Sequence, residues 1–279
     1  MPELPEVEWG ARQLRRWLGG RLLVAVRADP AARRLFRPGH PAGFARALTG
    51  ARVEQVDRHG KQLLLTLRGG GGGAGLLGVN AHLGMTGEWV ALPGGEPAPR
   101  HARLSLTLDD GRRVHYLDPR MFGRLRLVPE ARFDRWPDLA ALGPDPMAAR
   151  IDLPRLAARL GATRRAVKVA LLDQSLLAGV GNIHASEACW RARLDPRRRG
   201  GSLRPAEVAR LARAIRASLR FGLAGLDAPE IEYLEEGGAN PFHVYGREGA
   251  RCRHPGCGGA VERLVQAQRS TYCCRRCQK

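Results

Sequence analysis

The chain has 279 residues, with 46 Lys plus Arg against 27 Asp plus Glu and a formal net charge of +19 at pH 7. Its 44% hydrophobic residues are enough to bury real cores, which excludes a wholly disordered tail, and this length favours about two domains. No stretch approaches the roughly 18–20 uninterrupted apolar residues of a membrane span. The acidic opening Met1-Pro2-Glu3-Leu4-Pro5-Glu6 does not read as a secretory signal, so a cytoplasmic protein without a membrane partner is expected. In chain order, Val7, Ala11, Leu14 and Leu18 recur at helical spacing, with Pro5 in the first turn and Gly19-Gly20 as the stop. Strand-like segments follow at 21–27, 51–56, 61–67, 76–82, 102–108 and 112–117. The fifth alternates strictly, Leu104, Leu106 and Leu108 against Arg103, Ser105 and Thr107, and Asp109-Asp110-Gly111 turns it into the sixth. The glycine run 69–73 with Gly75 reads as a loose loop in an antiparallel β domain. From 133 to 147 the alternation stops, and Pro137, Gly143-Pro144 and Asp145-Pro146 mark a linker. Helices then take over, with Asp152 and Ser202 as expected N-caps and Val208, Leu211, Ile215 and Leu219 as the apolar stripe of a later helix.

The basic excess is almost entirely arginine, since the lysines are Lys61, Lys168 and Lys279. Arginine pairs bidentately with phosphate and keeps its charge, so the composition points to a polyanionic partner, with nucleic acid the leading candidate. An arginine-rich proteome with solvated surface charges is the alternative reading of charge alone.

Five of the six cysteines crowd the final stretch. Cys252-x4-Cys257 and Cys274-x2-Cys277 read as two knuckles closing one tetrahedral zinc site. A tail too short for its own core would fold on the metal, and four thiolates leave no open position for substrate, so the ion is structural. Cys273 and His254 stand outside this set, and Cys189 reads as core.

PELPEVE at the start, NAHLGMTG at 80–87, DPRMFG at 118–123, LLAGVGNIHASE at 176–187 and the terminal QAQRSTYCCRRCQK together resemble one family along the whole chain. It is the formamidopyrimidine-DNA glycosylase and endonuclease VIII family. The resemblance implies an α+β architecture: an N-terminal helix and catalytic antiparallel β-sandwich domain over 1–132, a linker at 133–150, a helix-two-turn-helix DNA-binding domain over 151–248 and a four-cysteine zinc finger over 249–279. It implies a monomer that binds damaged double-stranded DNA in a cleft between domains and removes oxidised bases in base excision repair, as a bifunctional glycosylase and AP lyase.

The same resemblance assigns residues. Removal of Met1 before the small Pro2 would expose a secondary amine, and an α-amino group titrates low enough to be partly neutral at physiological pH. In the family this amine attacks the sugar and forms a Schiff base, Glu3 is the general acid, Glu6 supports the site, and Lys61 reaches the lesion and its phosphate. Met85, Arg120 and Phe122 match the trio that fills the space left by the extruded base. Lys168, Asn182 and Arg269 match contacts to phosphates around the lesion. Three positions and one segment depart from the pattern: Trp9 in place of a small polar residue, Met121 where a second arginine is common, His184 in place of a tyrosine, and a 222–244 segment that is acidic rather than Thr-rich. The last, with Asp227, Glu230, Glu232, Glu235 and Glu236, leads to the expectation that 8-oxoguanine is not the preferred lesion. His59 and His82 read as structural. A chain retaining Met1 would instead be a non-catalytic damaged-DNA-binding protein.

Overall fold

The computed structural model describes residues 2–226 and 240–279. It divides into two compact units, one containing Pro2 and Glu6–Ala140, the other Glu3–Pro5 and Ala141–Lys279.

The first unit begins with most of α1 (Leu4–Leu18). The helical spacing expected from sequence is the face that buries, since Val7, Ala11, Leu14 and Leu18 are all at most 1% exposed. The chain then passes through β1 (Leu23–Ala28), a 3-10 segment (Pro30–Phe36), α2 (Pro41–Leu48), β2 (Ala51–His59), β3 (Gln62–Gly69) and β4 (Leu76–His82). It continues with β5 (Glu88–Leu92), β6 (Ala102–Leu108), β7 (Arg113–Leu117) and β8 (Arg124–Pro129). All pairings are antiparallel, in two four-stranded sheets ordered β1-β6-β7-β5 and β2-β3-β4-β8. The alternation read in β6 is the sheet's in-and-out pattern: Leu104, Leu106 and Leu108 are buried. They share one core with Leu63, Leu65 and Leu67 of the other sheet, which makes the unit a sandwich. The strands β5 and β8 and the helix α2 lie outside the segments read from sequence. In β5 the apolar run Trp89-Val90-Ala91-Leu92 carries no two-residue period, whereas the alternation Arg124-Leu125-Arg126-Leu127 of β8 is present in the sequence. Residues 133–140, where the alternation stops, form a 3-10 turn (Phe133–Arg135) and the short α3 (Pro137–Ala140) that belong to this unit.

The second unit holds α4 (Leu153–Gly161), α5 (Val167–Ala170), α6 (Asn182–Arg191), α7 (Pro205–Leu226) and the hairpin β9 (Glu262–Gln266) and β10 (Arg269–Cys273). Asp152 caps α4 as expected, its Oδ1 accepting from the Arg155 N–H at 3.0 Å. Ser202 does not cap a helix. It ends a 3-10 turn, and α7 starts later at Pro205, where proline's missing N–H costs nothing and Glu207 accepts the Arg204 N–H at 2.8 Å. Leu211, Ile215 and Leu219 on α7 pack with Leu156 and Leu160 of α4, and Leu4 joins this core. No helix among the described residues is long and apolar enough to cross a membrane.

Candidate functional site

In the second unit the decisive feature is the start of α6. Its N-cap is Gly181, with extended backbone (φ −118°, ψ −166°) and no side chain to satisfy the first N–H groups. Glu3 does so from across the sequence, its Oε1 accepting from Ile183 N at 2.8 Å and its Oε2 from His184 N at 3.2 Å. The helix N-terminus and the carboxylate charge reinforce each other. Glu3 is 3% exposed, and a Cβ on Gly181 would stand 2.2 Å from its Cδ, so only glycine leaves room for this approach. Gly179 (φ +97°) similarly leaves space for Leu4.

At the first residue of the same helix, Lys168 of α5 donates from Nζ to Asn182 Oδ1 at 2.5 Å, and Asn182 Nδ2 donates to the Ser270 carbonyl at 2.9 Å. The exposed Arg269 precedes Ser270 at the start of β10, directly after the Ala267-Gln268 turn whose positive φ values (46° and 60°) reverse the hairpin. Thus Lys168, Asn182 and Arg269, far apart in sequence, are brought together with Glu3. Burial first, and the charge of Arg269, pull the Lys168 ammonium down to about 8, against the opposing pull of Cys189 and Glu3.

The sequence reading missed two members of this cluster. Tyr245 Oη lies 3.4 Å from Asn182 Nδ2, and Glu187 holds the segment that carries it. The fully buried Glu187 carboxylate accepts the N–H groups of His243, Val244 and Tyr245 at 2.9, 2.8 and 3.1 Å. Burial pushes its carboxyl up, but the His243 side chain and these backbone donors outweigh that and hold it below the usual range. The Ser-Glu at the end of the 176–187 motif was the signal. His184, in the position where a tyrosine was expected, is buried and hydrogen-bonds Ser218 of α7 at 2.8 Å through Nδ1.

The four cysteines singled out by spacing meet. Cys252 Sγ and Cys277 Sγ lie 3.7 Å apart, Cys257 Sγ and Cys274 Sγ 3.6 Å, and all four sulfurs fall within 4.8 Å of one another. A tetrahedral thiolate site with metal–sulfur bonds of about 2.3 Å needs sulfurs about 3.8 Å apart, so these residues fit a metal ion. Trp190 of α6 donates from Nε1 to Cys252 Sγ at 3.4 Å, the kind of outer hydrogen bond that orients a ligand. His254 stacks on Trp190 at 3.9 Å instead of joining the sulfurs. Cys189 lies in the helical core, and burial pushes Cys273 up to about 11, away from thiolate.

In the first unit, Pro2, Glu6 and Lys61 are half-buried, Lys61 in the turn between β2 and β3. His82 accepts the Gly84 N–H through Nδ1 at 3.0 Å and so shapes the turn before Met85. Burial first, then Arg124 and Lys61, lower its pKa to about 4, which keeps it neutral. Met85 is half-buried, whereas Phe122 is 37% exposed. Two guanidiniums approach its ring, Arg120 at 4.8 Å and Arg34 at 5.1 Å from the centroid. Arg34, in the 3-10 segment, has no pattern in the sequence that would single it out. The acidic residues Asp227, Glu230, Glu232, Glu235 and Glu236 lie outside the described residues.

Residues 1–125 match the formamidopyrimidine-DNA glycosylase N-terminal domain, and residues 142–229 match the formamidopyrimidine-DNA glycosylase H2TH domain. The chain is 39% identical to the formamidopyrimidine-DNA glycosylase of Herpetosiphon aurantiacus and 40% identical to that of Paracoccus denitrificans, with 100% of both chains covered in each case. Among solved structures it resembles MutM (Fpg) of Thermus thermophilus, 40% identical over 99% of this chain and 98% of that one, with a TM-score of 0.79. It also resembles wild-type Lactococcus lactis Fpg in complex with DNA containing N7-benzyl-Fapy-dG, 25% identical over 100% of both chains, with a TM-score of 0.86. With both domain models in order and full-length relatives at this identity, the chain belongs to the formamidopyrimidine-DNA glycosylase family of DNA-repair glycosylases.

Proposed function

We propose that this chain is a bifunctional DNA glycosylase and AP lyase that excises oxidised bases from damaged double-stranded DNA, working as a monomer. Residues 1–132 would form the catalytic domain, 151–248 the helical DNA-binding domain and 249–279 the zinc finger, joined by 133–150. With Met1 removed, the Pro2 amine attacks C1′ of the damaged nucleotide. An N–C1′ bond forms as the bond from C1′ to the base breaks. The base leaves with the bonding pair and takes up the proton released by the Pro2 amine, and Glu3 supplies the proton that opens the sugar ring, leaving a Schiff base from which β- and δ-eliminations cut the strand. Glu6 and Lys61 support this centre, Lys61 by reaching the lesion phosphate. Met85, Arg120 and Phe122 fill the vacated stack, and Lys168, Asn182 and Arg269 hold phosphates. Cys252, Cys257, Cys274 and Cys277 would hold one zinc ion, whose part is to tie the knuckles of the finger together.

The observation that carries this reading is Glu3. Its carboxylate, one residue from Pro2, is fixed on the N-terminus of α6 within electrostatic reach of Lys168. That seat holds the carboxylate in one place next to the N-terminal amine and beside cations that suit phosphate, and membership of a glycosylase family supports its use at a bound sugar. Borohydride reduction during reaction with lesion-bearing duplex tests it, together with the intact mass of the protein. A covalent protein–DNA adduct is expected from chains that lack Met1. Trapping that persists with a blocked N-terminus would move the nucleophile elsewhere, with Lys61 the first suspect. A protein that retains Met1, binds lesions and traps nothing would be a non-catalytic damage-binding relative.

A further inference from the structure

Two loops of the first unit, 84–87 and 118–123, carry Met85 and the Arg120–Phe122 pair. They are bonded to each other through one side chain. Asp118 is 0% exposed, and its Oδ1 accepts from Thr86 Oγ1 at 2.7 Å and from Met121 N at 3.0 Å, while Oδ2 accepts from Gly123 N at 2.8 Å. The Asp118 backbone is fixed as well, its N–H donating to the His101 carbonyl at 3.1 Å and its carbonyl accepting from Arg103 Nε at 3.1 Å. Around this carboxylate the loops approach closely enough that side chains are excluded. A Cβ on Gly84 would lie 2.4 Å from the Phe122 carbonyl carbon, and Cβ atoms on Gly87 and Gly123 would lie 2.2 and 1.9 Å from Tyr116 Oη. Burial first, and then the neighbouring Asp118 charge, push the Tyr116 phenol well above its ordinary range. A buried carboxylate is costly unless its oxygens are satisfied, and here the donors come from both loops.

We propose that Asp118 is a positioning residue that locks the Met85 loop and the Arg120–Phe122 loop into one rigid wedge. The inference rests on the proposed role of Met85, Arg120 and Phe122 in filling the stack. Parting a base pair and ordering a loop draw on the same binding energy, so a wedge already fixed by Asp118 leaves more of it for extruding the base. Phe122 is partly exposed on this base, with the Arg34 and Arg120 guanidiniums close to its ring.

The test compares two substrates in single-turnover reactions: a lesion-bearing duplex, where the stack must be parted, and a preformed abasic site in single-stranded DNA, where no stack exists. Thr86→Val removes the bond to Asp118 at nearly constant volume, and Thr86→Ser retains the hydroxyl. Thr86→Val is expected to slow excision from duplex about tenfold while leaving single-strand cleavage within about twofold of wild type, with Thr86→Ser restoring the duplex rate. Asp118→Asn should slow duplex excision further. Thr86 is only half-buried, so its arm stands even where Asp118→Asn does not fold. Wild-type duplex rates in Thr86→Val, or equal losses on both substrates, would overturn the proposal. A wild-type protein inert on both substrates would overturn the proposed function, and this inference with it.

Discussion

Gly181→Ala tests the seat of Glu3 by adding a single atom. The backbone at 181 is extended, a conformation alanine adopts freely, so the substitution carries no torsional penalty. The new methyl group would instead lie 2.2 Å from Glu3 Cδ and 2.4 Å from Glu3 Oε1. The end of a flexible side chain can move, so the clash is relieved by pushing the carboxylate off the helix. That removes the bonds from Ile183 N and His184 N, at 2.8 and 3.2 Å. Hydrogen bonds to a charged group contribute about 1.5–3 kcal/mol each. Two at the low end give about 3 kcal/mol, which corresponds to roughly a hundredfold in rate where that placement is needed in the transition state. The same two bonds hold the start of α6 in the folded chain, so stability should fall as well, by at most about 3 kcal/mol, or roughly 5–10 °C in Tm, which leaves the variant folded at the assay temperature. The assay is single-turnover excision from a formamidopyrimidine-containing duplex, run beside thermal melting and metal content. Gly43→Ala, where nothing lies within 4 Å of the new atom, serves as the control and should behave as wild type. Excision by Gly181→Ala within about twofold of wild type would show that the seat of Glu3 on α6 is not part of the chemistry.

Other outcomes follow from the same geometry. Arg269→Ala should weaken DNA binding, retain metal and lower the slope of log affinity against log salt by about one, whereas Cys274→Ser should lose metal and DNA binding together; an unchanged slope would leave Arg269 as a packing residue. Because the folded-state pKa of Lys168 is lowered to about 8, the unfolded chain binds the extra proton between that value and the ordinary lysine range, so this group's contribution to stability rises with pH across that window. DNA phosphate favours the charged form, so affinity should fall about tenfold from pH 7 to pH 9 and flatten in Lys168→Arg; equal pH profiles for the two proteins would remove Lys168 from the phosphate contacts. From the acidic 222–244 segment, formamidopyrimidines or thymine glycol should be cut faster than 8-oxoguanine opposite cytosine, and single-turnover rates showing the reverse preference would refute it.

Much of the architecture was legible in local patterns. The i, i+3 and i+4 apolar positions of α1, the strict alternation of β6 with its Asp-Asp-Gly turn, the Asp152 cap and the spacing of Cys252, Cys257, Cys274 and Cys277 each state a short-range geometry that the chain adopts. Short motifs also marked most of the residues that meet at the start of α6. They did not state what those residues do to one another. That Glu3 closes the open end of a helix 180 positions away, that Glu187 gathers three backbone donors to bring Tyr245 to Asn182, that Trp190 points its N–H at a cysteine sulfur, and that Asp118 joins two loops were decided in three dimensions. Ser202 makes the same point from the other side: a good capping residue was left outside α7 because Pro205 and Glu207 together satisfy the helix start. Propensity and spacing act over a few residues, so they can be read along the chain. The pairing of a buried carboxylate with a particular set of N–H groups depends on which distant segments the hydrophobic cores bring within about 3 Å, and only the folded chain sets that distance.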